Sequence, residues 1–359
     1  MSVKDFYSDI LGSAGLSFPV LWRVIRSAKL SRSIPLVFNF VVPGRIINAL
    51  YRQIHKNKFI PKSMVIEPSY RCNMSCADCY APEEKTLMSG ELLDSIITQA
   101  KKLGVFRFDL MGGEPTLPEV IDMALPVINK NKNCVFNICT NCTLIDQAFI
   151  DKVKGSKNIF YLLSMEGNKE TTEARRGKGS YDAYLRSVQL LRQNKMAFSL
   201  SMTLDPNSWK EQISEQVIGD YVEAGGAIIY SYPRFNNQNK KFYELPRIEF
   251  LKQIQMLCKK YAVYWGDGHY GKMKAYKGII PRHNNQVCIN PSGKVRPYRF
   301  FAMPEFGDVS TTPLAEILAS KELIDFKRES RTKANELLKD EKEELARQGF
   351  KVYNYKWRM

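Results

Sequence analysis

The sequence predicts an α/β fold built from six successive β/α units, and three observations support this class. From Ser63 onward, short apolar runs alternate with longer amphipathic stretches, which indicates strands that alternate with helices. The segments between the apolar runs are long enough for a crossover helix, as neighbouring parallel strands require. The chain has 359 residues, of which 44% are hydrophobic and 25% charged, so it can bury one large domain and carry smaller appendages.

The predicted strands and helices follow one another in a regular order. The strands are predicted at Met64–Pro68, Phe106–Met111, Val135–Thr140, Ile159–Met165, Ala197–Leu204 and Ala227–Tyr232. The helices are predicted at Gly90–Leu103, Glu119–Asn129, Asp146–Val153, Tyr181–Gln193 and Ser214–Ala224. Ligands of parallel α/β barrels bind beyond the carboxyl ends of the strands, so the residues that follow each strand are the candidate site residues.

Three cysteines with C-x3-C-x2-C spacing follow the first predicted strand. Cys72, Cys76 and Cys79 can converge on one inorganic centre, and the next cysteine is Cys134. A zinc ribbon would need a second C-x2-C pair, and a ferredoxin cluster would need a nearby fourth cysteine. Three thiolates would leave one iron of a four-iron cluster open to another ligand. Three unrelated buried cysteines are the alternative interpretation.

A second motif, Gly112-Gly113-Glu114-Pro115, follows the second predicted strand. Two glycines after a strand let the backbone approach a small ligand closely. Glu114 offers an acceptor for an ammonium group. One crossover helix fits between this motif and the cysteines, so the two motifs are expected at the ends of neighbouring parallel strands.

The two motifs, in this order and at this separation, resemble the radical S-adenosylmethionine (SAM) superfamily. The resemblance covers roughly residues 63–318 and implies a partial (β/α)6 TIM-like barrel. It implies that Cys72, Cys76 and Cys79 hold a [4Fe-4S] cluster whose open iron takes the amino and carboxylate groups of SAM. The cofactor-binding residues that it implies are Tyr80, Gly112, Gly113, Glu114, Pro115, Thr140, Asn141, Ser164 and Arg176.

Two later segments resemble the same family. At the end of the fourth strand, Ser164-Met165-Glu166-Gly167 is similar to S-x-D-G, with glutamate in place of aspartate. The resemblance implies that Ser164 contacts the ribose or carboxylate of SAM, and that Glu166 contacts a ribose hydroxyl or the substrate. The segment after it is similar to R-G-x-G-S-[FY], where Arg176 aligns best and would pair with the SAM carboxylate. Glu166 and Arg176 are therefore the candidate catalytic residues. Alternatively, the second segment is only a helix N-terminus capped by Ser180.

The third predicted strand ends in Thr140-Asn141-Cys142, where the family often has T-N-G. With Cys134 and Cys139, Cys142 forms a C-x4-C-x2-C pattern that is similar to part of a plant-type ferredoxin motif. Two of these cysteines lie on or beside a strand that must pair with its neighbours. Buried small residues are therefore the favoured interpretation, rather than a second cluster.

The C-terminal part predicts a small α+β appendage. Val287–Tyr298 predicts a hairpin with its turn at Pro291–Gly293, and with the segments that follow it resembles the SPASM or twitch domain of this family. That family places a cluster-ligating cysteine after the proline of the hairpin, whereas this chain has Tyr298 there and no cysteine after Cys288. We therefore expect the domain to lack auxiliary clusters. The predicted domains are a basic helical segment at 1–62, the barrel at 63–270, the SPASM-like domain at 271–325 and a charged helical tail at 326–359.

The first 62 residues are basic. They carry ten Lys or Arg and two Asp, and the resulting charge of +8 is half of the net charge of +16. No acidic residue occurs between Asp9 and Glu67. Aromatic residues such as Trp22 and Phe38 lie among the basic ones, a composition that suits an amphipathic segment on an anionic membrane. The apolar run around Phe38 is about half the ~20 residues needed to span a bilayer. Helices packed over the open face of the catalytic domain are the other interpretation.

The resemblance implies that the cluster cleaves SAM reductively to a 5′-deoxyadenosyl radical, which abstracts hydrogen from an unactivated C–H bond. The basic segment favours a membrane lipid or isoprenoid as the substrate; the SPASM-like domain favours the alternative, a ribosomally made peptide or a small metabolite. A scaffold or an electron carrier would not need the G-G-E-P motif.

The expected partners are a one-electron reductant of the flavodoxin or ferredoxin type and an anionic membrane surface. Nucleic acid is not expected, because the basic residues lie among aliphatic rather than stacking side chains. Eight cysteines are too few for a disulfide scaffold, and an oxygen-sensitive cluster needs a reducing compartment. We therefore expect a cytoplasmic protein that binds peripherally to the inner face of the cell membrane.

We expect one cluster, held by Cys72, Cys76 and Cys79. Anaerobic reconstitution should give about four irons per chain, because one cubane contains that number. Replacement of all three cysteines by alanine should remove this iron. About eight irons per native chain, or about four in the triple variant, would contradict a single cluster at this motif.

Overall fold

The computed structural model describes residues 42–55, 58–82, 84–236, 241–243, 245–261, 263–267, 286–298 and 303–347. Most of the basic segment predicted at 1–62, including Trp22 and Phe38, lies outside the described residues.

One sheet organises the described part of the chain. Its strands are β1 (Ser63–Ser69), β2 (Arg107–Gly112), β3 (Val135–Thr140), β4 (Ile159–Ser164), β5 (Phe198–Leu204), β6 (Ile228–Pro233), β9 (Tyr264–Asp267), β10 (Gln286–Ile289) and β11 (Val295–Arg296). Strands β7 (Phe235–Asn236) and β8 (Lys241–Phe242) form a separate hairpin. The order in the sheet is β11-β10-β1-β2-β3-β4-β5-β6-β9, and only the β10–β11 pair is antiparallel. The sheet does not close on itself, so the predicted partial barrel is confirmed.

Eight of the eleven helices in the described residues lie between strands in sequence, as parallel pairing requires; one precedes β1 and two follow β11. The helices are α1 (Val42–Ile54), α2 (Gly90–Lys102), α3 (Pro118–Lys130), α4 (Gln147–Val153), α5 (Lys169–Arg176), α6 (Ser180–Gln193), α7 (Trp209–Gln212), α8 (Glu215–Glu223), α9 (Arg247–Tyr261), α10 (Leu314–Ile317) and α11 (Lys321–Arg347). Helix α2 shows why they form: Ser89 caps its first turn by accepting from the Leu92 N–H, and its apolar face buries Leu93, Ile96 and Ile97.

The structure extends the predicted sheet at both edges. Strands β1 to β6 lie where the six strands were predicted, but β9 adds to β6 and β10 adds to β1, both in parallel. The hairpin predicted in the C-terminal appendage is therefore hydrogen-bonded to the barrel sheet itself. Neither pairing leaves a local signal, because β9 and β10 have only four residues each and their partners are distant in sequence.

Helix α1 lies at the base of the barrel. The buried side chain of Asn48 donates to the carbonyls of Pro61 and Gly104, at 3.1 and 3.0 Å. Gly104 precedes β2, whereas the G-G-E-P motif begins at the other end of β2, so α1 and this motif lie at opposite ends of the barrel. Across the described residues, no helix combines the length and apolar character needed to cross a bilayer.

Candidate active site

One open cavity lies at the carboxyl ends of the strands. The predicted site residues that line it are Cys72, Cys76, Cys79, Tyr80, Gly112, Gly113, Glu114, Thr140, Asn141, Ser164 and Arg176. Pro115 and Glu166 are buried behind its wall. The sequence analysis missed Arg175 as a site residue, together with the opposite wall formed by Ser201, Thr203 and Tyr232. Polar residues alternate with apolar ones along β5, which is a signal that could have identified part of this wall.

The G-G-E-P backbone packs directly on the residues that precede the first cysteine. The Gly113 N–H donates to the Ser69 carbonyl and the Glu114 N–H to the Arg71 carbonyl, both at 2.8 Å. A side chain at Gly113 would lie 1.9 Å from the Arg71 oxygen, so only glycine fits. The two motifs therefore form one packed unit, and the position of Cys72 depends on it.

The ends of β3 and α5 hold the rest of the cysteine loop. The Asn141 amide donates to the Asn73 side-chain oxygen at 2.9 Å, and the Asn73 amide donates to the Thr143 hydroxyl at 2.8 Å. The Ala77 N–H donates to the Arg175 carbonyl at 2.9 Å. The loop is thus fixed by backbone and amide contacts from both sides of the cavity.

The three thiols fit a cluster better than a single ion. They line the same cavity, yet no three Cys, His, Asp or Glu side chains among the described residues lie close enough to hold one metal ion. A cubane binds each thiolate at a separate iron, so its sulfurs lie farther apart than the ligands of one zinc ion. Partial desolvation raises the pKa of the Cys72 thiol to about 11, although the residue as a whole is exposed, and burial raises the pKa of the half-buried Cys76. Bound iron would deprotonate both, since a coordinating thiol is held as the thiolate.

Glu114 is buried, and its carboxylate organises the turn after β3. One oxygen accepts from the Asn141 N–H at 2.7 Å, and the other accepts from the N–H and hydroxyl of Thr116 at 3.0 and 2.5 Å. Burial raises the pKa of this carboxyl, while these donors oppose the shift. Glu114 therefore connects the cavity wall of β2 to that of β3.

The turn at Cys142 explains why the family often has glycine there. Cys142 has a φ of 74°, in the left-handed region that favours glycine, and its N–H donates to the Thr140 hydroxyl at 3.0 Å.

The three cysteines of the C-x4-C-x2-C pattern lie in different surroundings. Cys134 and Cys142 lie in the main hydrophobic core, whereas Cys139 packs beside Met111 inside the barrel. Cys134 and Cys142 are thus buried, as the favoured interpretation expects, whereas Cys139 is half-buried and lines the cavity.

Glu166 pairs with two arginines. One of its oxygens accepts from Arg175 Nη1 at 2.7 Å and from Arg176 Nη2 at 2.6 Å, and the other accepts from the Thr203 N–H at 2.5 Å. The resemblance implied that Arg176 contacts SAM and that Glu166 contacts SAM or the substrate; in this structure the two side chains also bind each other. Arg175 Nε is buried and has no hydrogen-bond partner among the described residues. The group thus carries one excess positive charge and an unused donor beside the cavity.

Comparison with known proteins identifies the family. A family model of the radical SAM superfamily matches residues 66–215, which include the cysteine loop, the G-G-E-P motif and the Glu166 cluster. Residues 66–215 form a radical SAM domain. A second model, described as an iron–sulfur cluster-binding domain (SPASM), matches residues 281–340. The predicted cofactors, a [4Fe-4S] cluster and SAM, are thereby confirmed.

Two curated relatives illustrate the extent of the sequence similarity. Fe-coproporphyrin III synthase of Methanosarcina barkeri is 29% identical over 147 residues, which cover 39% of this chain and 36% of that protein. The antilisterial bacteriocin subtilosin biosynthesis protein AlbA of Bacillus subtilis is 26% identical over 277 residues, which cover 68% of this chain and 56% of AlbA. The chain therefore spans less than two thirds of the length of either relative.

Solved structures show the same fold. The structure of SuiB from Streptococcus suis bound to the precursor peptide SuiA matches with a TM-score of 0.61 at 16% identity, over 79% of this chain and 70% of SuiB. SuiB bound to SAM matches with a TM-score of 0.60.

This radical SAM chain departs from the expected SPASM pattern at the position of the cluster ligand. Tyr298 follows Pro297 and is buried, with its ring centre 4.2 Å from Lys327 Nζ. Lys327 in turn donates to the carbonyls of Gln286 and Pro297, at 2.6 and 2.9 Å. An aromatic and cationic contact thus occupies the position at which the family has a cluster ligand.

We expect Glu114→Ala to weaken SAM binding by at least about tenfold, because the carboxylate loses a charge-assisted bond to the SAM ammonium, worth ~1.5–3 kcal/mol. It also releases the Asn141 N–H. Anaerobic calorimetry on reconstituted protein measures the affinity, and the iron content should remain that of the wild type. Glu223→Ala, on the exposed surface of α8, is the matched control. Unchanged SAM affinity in the Glu114 variant would show that the assignment is wrong.

Proposed function

We propose that this chain cleaves SAM reductively and abstracts a hydrogen atom from an unactivated C–H bond of a peptide. The observation that carries the proposal is the single cavity that combines three thiols, the G-G-E-P turn and the arginine pair at the strand ends. When bound, the cluster supplies the electron that splits SAM into methionine and a 5′-deoxyadenosyl radical. A peptide is favoured because AlbA takes part in bacteriocin biosynthesis by name and SuiB was solved with a precursor peptide.

Arg175 is the better candidate to bind the SAM carboxylate. Arg176 directs both Nε and Nη2 at Glu166, whereas Arg175 uses only Nη1 and keeps its buried Nε available. Glu166 touches neither ligand in this scheme; it holds both guanidinium groups in place and offsets one of their charges. The hydroxyl-bearing wall of Ser201, Thr203 and Tyr232 then faces the substrate.

Electrons are proposed to come from a flavodoxin- or ferredoxin-type protein. Cys72 is exposed, whereas Cys76 and Cys79 are half-buried, so the cluster would be closest to solvent on the Cys72 side. Electron transfer between proteins needs such a short approach to the surface.

The transfer of deuterium to 5′-deoxyadenosine tests the substrate class. The reduced, reconstituted enzyme is incubated with SAM and either a peptide fraction or a lipid extract, both from bacteria grown on deuterated medium. We expect deuterium in 5′-deoxyadenosine with the peptide fraction only, and no 5′-deoxyadenosine from a Cys76→Ala variant. Deuterium transferred from the lipid extract would instead support the lipid or isoprenoid substrate. Failure to form 5′-deoxyadenosine with dithionite would contradict the proposed chemistry itself.

A peripheral membrane attachment is the second candidate property, and helix α1 favours it. Ile47, Leu50 and Ile54 lie on one face of α1 and are 50%, 51% and 72% exposed. Because no acid occurs between Asp9 and Glu67, this apolar stripe lies in a wholly basic stretch, which complements an anionic lipid surface. The stripe is at the base of the barrel, so a bilayer bound there would face away from the cavity. This orientation favours a substrate that reaches the cavity from solution.

Vesicle co-sedimentation tests the role of α1. We expect binding to phosphatidylglycerol vesicles that weakens with salt, because the surface potential decays within a Debye length. Ile47→Ser/Leu50→Ser/Ile54→Ser should reduce it at least about tenfold, since each residue loses apolar burial. Leu185→Ser/Met256→Ser removes two exposed apolar residues elsewhere and is the control. If the α1 variant binds the vesicles as tightly as the wild type, α1 has no role in membrane attachment. If deletion of residues 1–41 lowers the stability of the protein, the stripe is instead the surface on which that segment packs.

A further inference from the structure

Arg234 joins the cysteine loop to the opposite side of the barrel. It follows β6, and its Nε donates to Asp78 Oδ2 at 2.8 Å. Its Nη1 contacts Asp205, which follows β5. Asp78 lies between Cys76 and Cys79. In the sheet, β1 is separated from β5 and β6 by at least three strands, so no backbone ladder can make this connection.

The three side chains are mostly buried. Arg234 is 24% exposed, Asp78 19% and Asp205 17%. Salt screens partly buried ion pairs less than it screens surface pairs. Removal of one partner leaves the charge of the other side chains without a full counter-charge. Loss of the guanidinium would leave two neighbouring carboxylates that repel each other.

The backbone at Asp78 needs support from its surroundings. Its φ is 53°, in the left-handed region that non-glycine residues seldom occupy. The turn also brings the Cys79 N–H to the Cys76 carbonyl at 3.2 Å. The direction in which Cys79 projects relative to Cys76 therefore depends on a conformation that the ion pair stabilises.

Arg234 itself is held firmly enough to act as an anchor. Its N–H donates to the Leu204 carbonyl at 3.1 Å, and its carbonyl accepts from the Tyr243 N–H at 2.9 Å. Its guanidinium carbon lies 5.7 Å from the centre of the Tyr243 ring. The side chain is thus fixed at its root and along its length.

We propose that Arg234 is a positioning residue for the iron–sulfur cluster, which acts through Asp78 to hold the turn between two of the ligands. The proposal concerns the cluster that membership of the radical SAM superfamily implies, and it does not depend on the substrate. Arg234 affects how tightly the cluster is retained and how easily it is reduced.

The loss of iron to a chelator tests the proposal without any activity measurement. In anaerobically reconstituted protein, Arg234→Gln should release iron at least about fivefold faster than the wild type. Asp78→Asn should also release iron faster, and the double variant should be no faster than Arg234→Gln alone, because Arg234→Gln already removes the one pair that Asp78→Asn breaks. Lys210→Gln removes the same charge from an exposed pair with Glu249 and is the matched control.

The midpoint potential of the cluster distinguishes a loss of positioning from a simple change in charge. Arg234→Gln removes a positive charge and should lower the potential, whereas Asp78→Asn removes a negative one and should raise it, although both release iron faster. Additive rates in the double variant, or wild-type release in Arg234→Gln, would overturn the proposal. If Arg234→Gln does not fold, Arg234→Lys still tests iron release, because lysine keeps the charge but cannot bond both carboxylates as a fork.

Discussion

The contact between Gly113 and the Arg71 carbonyl is the constraint on which the site depends. The three thiols proposed to hold one cluster come from a loop with little regular structure, and such a loop cannot fix its own geometry. The G-G-E-P backbone supplies the missing constraint, because its N–H groups bind the carbonyls that precede Cys72. Since β1 and β2 are neighbours in parallel register, this contact follows directly from the sheet. The cysteines proposed to hold the cluster and the turn proposed to bind SAM are therefore linked by the same hydrogen bonds.

Charge balance provides the second level of organisation. Buried carboxylates each hold a different part of the cavity wall: Glu114 binds backbone donors at the end of β3, and Glu166 binds two guanidinium groups. A buried charge is tolerated only when it is paired or hydrogen-bonded, and both groups meet this condition. The two groups differ in net charge, because two guanidinium groups pair with the single carboxylate of Glu166 and leave a positive charge that can attract a carboxylate.

The sequence was sufficient for features that are local along the chain. Each of the strands β1 to β6 and the motifs at their ends could be predicted because strand, turn and ligand residues are consecutive, as at Phe108 to Glu114. The pairing of Glu166 with Arg176 was not predicted, since a motif states which residues occur but not whether they bind SAM or each other. The Arg234–Asp78 pair joins residues that are distant in sequence, and the parallel pairing of β10 with β1 has the same limitation.

The C-terminal hairpin has a structural role in the sheet, although Tyr298 stands where the family has a cluster-ligating cysteine. An incomplete barrel leaves β1 with an unpaired edge, and β10 covers it. The next strand, β11, then carries Arg296 to the Tyr70 hydroxyl at 3.4 Å, and that hydroxyl donates to the buried Glu67 at 2.8 Å. Burial and the neighbouring Glu67 both raise the pKa of Tyr70, so the phenol stays protonated and keeps donating. Because Tyr70 precedes Cys72 by two residues, the hairpin supports the cysteine loop through Arg296 and Tyr70.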